Sequence, residues 1–172
     1  MATFGTTSEA GTAAGGATDT IGATKYTLSV DGVVTQLSFY SNASGNAKVG
    51  IYRDVSGNPV ELIVANNTST AVSAGWNDIY IKPTYLIAGT YWIAVLGDTG
   101  NLRAYIAGGV NQTAYNTSTT YANGLLSTFP AISNQNYDYV CYGTYTAGGG
   151  SAVRPYSHVV VGNGMSRSEV AN

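Results

Sequence analysis

"KYTLSVDGVVTQLSFY", residues Lys25–Tyr40, alternates in side-chain character from end to end. In its first half Tyr26, Leu28 and Val30 share one side, and Lys25, Thr27 and Ser29 share the other. Successive side chains leave a strand on opposite faces, so a period of two marks a strand with one face against a core. Asp31-Gly32 follows, a dipeptide suited to a type I′ hairpin turn. The second half then directs Val33, Thr35, Leu37 and Phe39 inward and Gln36, Ser38 and Tyr40 outward.

The same period runs on through the chain. "AKVGIYRD" alternates through Ala47, Val49 and Ile51, and "VSGNP" turns. "VELIVA" predicts a short strand and "NNTST" a loop. "GWNDIYIKP" and "GTYWIAVLGD" predict two further strands separated by "TYLIA". In the second of these, Tyr91, Ile93 and Val95 face one way and Trp92, Ala94 and Leu96 the other. Both faces are apolar, which predicts a central strand covered on both sides. "LRAYIA" is shorter, and "YDYVCYGTYT" closes the series. The stretch from Gly108 to Gln135 is less regular and reads as a packed or functional loop. Helical periodicity is absent, and 22 glycines work against it. Many short strands between turns predict an all-β fold: an antiparallel two-sheet β-sandwich, jelly-roll-like, with an extended C-terminal tail. The expected divisions are a β-sandwich over 1–146, a Gly-rich linker over 147–152 and a docking tail over 153–172.

The chain has 172 residues, and only 9% are charged, against roughly 25% in an average soluble domain. Gly, Ser, Thr, Asn and 14 tyrosines take the place of charge. Seven basic residues against nine acids give a net charge of −2. Such a balance argues against nucleic acid, whose binding needs a basic surface, and against anionic membranes. A surface this poor in charge does little to keep copies apart. Cys141 is the single cysteine, so no intramolecular disulfide forms, and its place in an alternating strand makes it a core residue. No apolar run is long enough to predict a transmembrane helix. The stretch "MATFGTTSEAGTAAGG" lacks a signal-peptide pattern, which leads to an expectation of synthesis and assembly in a host cytoplasm.

Three phrases, "GNAKVGIYRDVSGNPVELIV", "GWNDIYI" and "LIAGTYWIAV", resemble a β-sandwich module that recurs in bacterial and archaeal surface proteins and in phage virion proteins. The matching positions are Gly45-Asn46, Ile51 to Asp54, Gly57-Asn58-Pro59, Gly75-Trp76-Asn77 and Gly89 to Ala94. "TFGTT" and "YGTYT" look like that module's two ends, so the likeness covers roughly residues 3–146. It implies a sandwich fold but no single task. Trp76 and Trp92 read as core side chains, and Gly57 and Gly89 as turn formers.

No catalytic set emerges. His158, the single histidine, lies in the tail, away from any body that would hold it beside a nucleophile. No zinc spacing or phosphate-binding loop occurs, and no cofactor is expected. Asp54 and Asp98 sit in oxygen-rich turns and are the candidate calcium ligands, with turn formation as their competing role. Tyr105, Tyr115, Tyr121 and Tyr137 are the candidate ligand-stacking residues, since tyrosine offers a flat apolar face and a hydroxyl.

Beyond Gly148-Gly149-Gly150, Arg154-Pro155 favours extended backbone, and Ser157 to Val161 has strong β character. An apolar strand alone in water invites aggregation, so a paired state is expected, either folded back on its own sandwich or added as a strand to a neighbour. Pro155, Tyr156, Val159, Val160 and Val161 are the expected interface residues, and other copies of the chain and other assembly proteins the expected partners. The resulting expectation is a non-enzymatic structural protein of a repeated assembly, a phage virion component such as a capsid decoration, head-fibre or tail-associated protein. The alternative is a carbohydrate-binding or adhesive module at a cell surface, with glycans as partners.

Overall fold

The computed structural model describes residues 1–9, 12–13, 18–100, 102–117 and 119–148. Among them the strands are β1 (Ala2–Gly5), β2 (Thr12–Ala13), β3 (Thr20–Leu28), β4 (Gly32–Ser41), β5 (Gly45–Val55), β6 (Asn58–Val72) and β7 (Gly75–Leu86). Then follow β8 (Gly89–Gly97), β9 (Ala104–Ala107), β10 (Thr113–Asn116), β11 (Ser133–Gln135), β12 (Tyr137–Tyr139) and β13 (Cys141–Ala147). They build a four-stranded sheet β1-β13-β4-β7, a six-stranded sheet β11-β10-β3-β8-β5-β6 and a small sheet β12-β9-β2. The protein is an all-β antiparallel sandwich. Its long strands pair from the outside in: β1 with β13, β3 with β8, β4 with β7, β5 with β6. One long hairpin rolled upon itself gives that connectivity, which is a jelly roll. The tail residues Pro155, Tyr156, Val159, Val160 and Val161, with the rest of 149–172, lie outside the described residues.

The Asp31-Gly32 hairpin does not form. β3 belongs to the six-stranded sheet and β4 to the four-stranded one, so this turn crosses between layers. Neither residue has the positive φ that a type I′ turn requires. The tight hairpin comes later, at Ser56 (φ 53°) and Gly57 (φ 82°), where Val55 faces Asn58. Within β4 a register shift between Val34 and Gln36 changes the phase of the alternation. Val34, fully buried, therefore takes the inward place expected of Val33, while Leu37 and Phe39 stay inward as anticipated. "NNTST" is not a loop but the continuation of β6, and "TYL" continues β7. Gly89 has no positive φ, unlike Gly57.

Two cores result, one on each side of the six-stranded sheet. Between the main sheets, Tyr91, Ile93 and Val95 of β8 meet Val49 and Ile51 of β5, Leu37 and Phe39 of β4, Ile79 and Ile81 of β7, and Cys141 and Tyr145 of β13. On the far side, Trp92, Ala94 and Leu96 join Ile21, Ala23 and Tyr52 beneath Leu125 and Phe129. The doubly covered strand read from Gly89–Gly97 is thus present, with Trp92 fully buried. Its second cover is the segment between β10 and β11. Phe129 sets its ring edge on Tyr52, with centroids 5.0 Å apart. The Tyr52 hydroxyl donates to Leu126 O at 2.9 Å, and Trp92 Nε1 donates to Asp54 Oδ1 at 2.7 Å. The same segment closes the outer edge of β6: Leu62 N–H donates to Ser127 O (2.9 Å) and Phe129 N–H to Val60 O (2.8 Å). Asn67 extends the seal by accepting from Leu125 N–H (2.8 Å) and donating to Leu125 O (3.3 Å).

Burial also fixes protonation. Desolvation pushes the Cys141 thiol up to about 12, and raises the Tyr26 and Tyr52 hydroxyls above their ordinary value near 10. Each group holds its proton more tightly folded than unfolded. Its contribution is complete below the unfolded pKa, near 9 for the thiol and 10 for the phenols, and is lost as pH rises toward the folded value. Urea unfolding should therefore show no loss from these groups up to pH 9 and a progressive loss above it, and Tyr26→Phe should flatten part of that slope. A second expectation concerns the loop cover. Phe129→Ala should lower the unfolding free energy by about 3 kcal/mol, measured by denaturant titration, because it empties a buried aromatic site.

Candidate functional site

Two surfaces of the sandwich offer more than packing. The first is the outer face of the four-stranded sheet. Ile79 and Ile81 of β7 point into the core, so Trp76, Asp78 and Tyr80 point outward. On β4 and β13 the same alternation turns out Gln36, Ser38 and Tyr40, and Tyr142 and Thr144. Register sets Tyr40 opposite Trp76, and Ser38 between Asp78 and Tyr142. The Trp76 ring lies 5.6 Å from Tyr40, edge to face, and 5.0 Å from Tyr142. Beside this aromatic group runs a polar row: Gln36 Nε2 donates to Ser38 Oγ (3.0 Å), which donates to Asp78 Oδ1 (2.6 Å). A half-buried indole next to an exposed carboxylate and an ordered hydroxyl can stack on an apolar ring face and accept hydrogen bonds from its substituents. Trp76 is therefore not in the core, where its size suggested it would be. Alternation in "GWNDIYI" held the signal, because two inward isoleucines three and five residues on force the indole out.

The second surface is a groove at one end of the sandwich, with a volume of about 290 Å³. Ile63 of β6, Leu86 of β7, the connecting residues Ile87 and Ala88, and Tyr91 of β8 give it an apolar wall, and Arg53 lies at its side. Arg53 pairs with Glu61 at 3.1 Å, both exposed. Ile87 is 63% exposed, and its carbonyl accepts from the Tyr91 hydroxyl at 2.8 Å. Asp31 braces this wall from behind. Its Oδ1 accepts from Ala88 N–H (2.7 Å) and its Oδ2 from the Tyr85 hydroxyl (3.0 Å). Those two donors hold the Asp31 carboxyl below its usual range, the Ala88 N–H contributing most. The Asp31 carbonyl in turn accepts from Gly148 N–H at 2.9 Å, which sets Gly148 beside the groove's margin.

The four tyrosines nominated by the sequence do not form one platform. Tyr105 and Tyr137 lie together, with ring centroids 4.6 Å apart and planes 33° from parallel, and both rest partly buried against the core between the sheets. Desolvation, then the neighbouring Tyr139, raises the Tyr137 hydroxyl well above its ordinary value; Tyr115 also contributes. Tyr115 is half-buried on β10. Tyr121 packs on the opposite face of the six-stranded sheet, over the second core. There Lys48 Nζ lies 4.4 Å from its ring centre and donates to its carbonyl at 2.7 Å, while Asp19 Oδ1 accepts from its N–H at 2.7 Å. Asp54 and Asp98 use their carboxylates on nearby turns. Asp54 takes Trp92 Nε1 and Gly57 N–H, and Asp98 takes the main-chain N–H and Nδ2 of Asn46, both at 2.7 Å. Among the described residues no three His, Cys, Asp or Glu side chains are placed to hold a metal ion, and no helix is long and apolar enough to cross a membrane. Compared with known proteins, the chain matches no family model, no curated protein and no solved structure.

Proposed function

We propose that this chain is a non-enzymatic structural module of a repeated protein assembly, a virion component, whose C-terminal segment docks on a neighbouring copy. The observation that carries the reading is the place of Gly148, tied to Asp31 beside an apolar groove at one end of a jelly roll. The sparse charge and the likeness of "GIYRD", "GWN" and "GTYWIA" to modules of surface and virion proteins support it. Jelly rolls serve capsids and lectins alike, so the fold alone does not choose between tasks. Light scattering after size exclusion should find the full chain assembled and a chain ending at Gly148 folded and monomeric, melting no higher than the full chain. Monomers in both cases would exclude the assembly role.

A second reading, a carbohydrate-binding module, draws on the outer face of the four-stranded sheet. Trp76, Tyr40 and Tyr142 beside Asp78 and Ser38 match the combination of aromatic face and hydrogen-bond acceptor that suits a sugar ring. On this reading the protein is retarded in affinity gels containing neutral polysaccharide, and Trp76→Ala abolishes the retardation without altering thermal stability by more than about 1 kcal/mol. Equal mobility of both proteins in every polysaccharide tested removes it.

A further inference from the structure

We infer that the groove between the β7–β8 connection and the ends of β5 and β6 is the receptor for the tail of a second copy, with Val159–Val161 seated against Ile63, Leu86, Ile87 and Tyr91. The inference rests on the assembly reading and assigns it a site. Three observations converge on it.

The groove presents aliphatic and aromatic surface, and its rim residue Ile87 is largely exposed. Such a surface calls for an apolar occupant. The segment beyond Gly148 contains one: the run of three valines from Val159.

Position gives the second argument. β13 ends at Ala147, opposite Gly32, and Gly148 is tied to Asp31, which also holds Ala88 and Tyr85 of the groove wall. Gly148 and groove therefore share one end of the sandwich. Ten residues lie between Gly148 and Val159, and the eleven steps from one to the other span at most roughly 40 Å when extended. Arg154-Pro155 biases the connector toward extension. Two copies meeting end to end would each give a tail and receive one, a closed two-fold arrangement.

Third, β7 is the outer strand of its sheet, so an arriving strand finds main-chain groups as well as apolar wall.

The test uses two complementary full-length variants. Ile87→Asp puts a carboxylate on the groove wall at an exposed position and leaves the tail intact. Val160→Asp spoils the tail and leaves the groove intact. Each alone should be monomeric by light scattering, while their mixture should form a one-to-one complex, because one supplies the tail and the other the groove. Urea melts equal to that of the chain ending at Gly148 establish that both variants are folded. If Ile87→Asp assembles like the unaltered chain while Val160→Asp does not, the groove is not the receptor, although the assembly reading stands. If neither variant associates, alone or mixed, and the unaltered chain is itself a monomer, the tail of each copy returns to its own body or docks nowhere; groove proposal and assembly reading then both fail. Failure of the mixture to combine when the unaltered chain does assemble also overturns the proposal.

Discussion

The constraint that organises this molecule is that β8 is apolar on both faces. Tyr91, Ile93 and Val95 need one cover and Trp92, Ala94 and Leu96 another. A single sheet-on-sheet contact supplies only the first. The second comes from the segment between β10 and β11, of whose apolar side chains Leu125 and Phe129 are the buried ones, so that it needs fixing by other means. Phe129 and Leu125 bury themselves; the remainder is held by polar contacts from the sheet beneath. Lys48, nearly buried, reaches the Tyr121 carbonyl, Tyr52 reaches Leu126 O, and Asn67 pairs with both main-chain groups of Leu125. The cost of burying these polar groups is met because each finds a partner. The same cover also hydrogen-bonds the outer edge of β6 along Val60–Leu62, so that one segment solves two problems, an exposed apolar face and an unpaired strand edge.

Several of the chain's nine acids are tied into contacts of this kind. Carboxylates and amides that would decorate an ordinary surface are spent on main-chain groups of turns and edges. Asp19, Asp31, Asp54 and Asp98 each accept a backbone N–H. Asn66 donates to Tyr80 O on the neighbouring edge strand, and Asn77 bridges Ser73 and Gly75 in the turn that joins the sheets. Side-chain hydrogen bonds to backbone stand in here for turn and edge pairing that the backbone alone leaves open. The oxygen-rich turns at Asp54 and Asp98 are accordingly committed to the fold.

Legibility in the sequence followed the local strength of the period-two signal. The faces of β5 and β8 were readable, because Ala47, Val49, Ile51 and the two sides of β8 keep strict alternation in the centre of a sheet, although β5 begins at Gly45, two residues before the alternation. β4 was readable only in its second half: a bulge between Val34 and Gln36 shifts the phase, and nothing in "VVTQ" marks it. "NNTST" reads as loop because β6 lies at a sheet edge there, where polar side chains are tolerated on either face and ladder pairing supplies the order. Asp31-Gly32 reads as a hairpin because dipeptide preference is local, whereas its real role is long-range, bracing Tyr85 and Ala88 across the sandwich. The aromatic face was missed for a related reason. Trp76 was judged by size, while its direction is decided by Ile79 and Ile81 further along the strand.

Asp31 also links the two halves of the functional argument. A carboxylate beside the end of β3 fixes the β7–β8 connection, and so gives the groove wall its shape. The carbonyl of the same residue holds Gly148, next after the end of β13. Wall and Gly148 are thereby coupled through one residue's side chain and main chain. Movement of either relative to the other would require breaking hydrogen bonds at that point, which is the kind of rigid placement a receptor for an extended strand needs. A strand partner bound elsewhere on the body, such as the sealed edge of β6, would first have to displace the cover over Trp92. At the groove, by contrast, the exposed Ile87 side chain stands on a wall already fixed by Asp31.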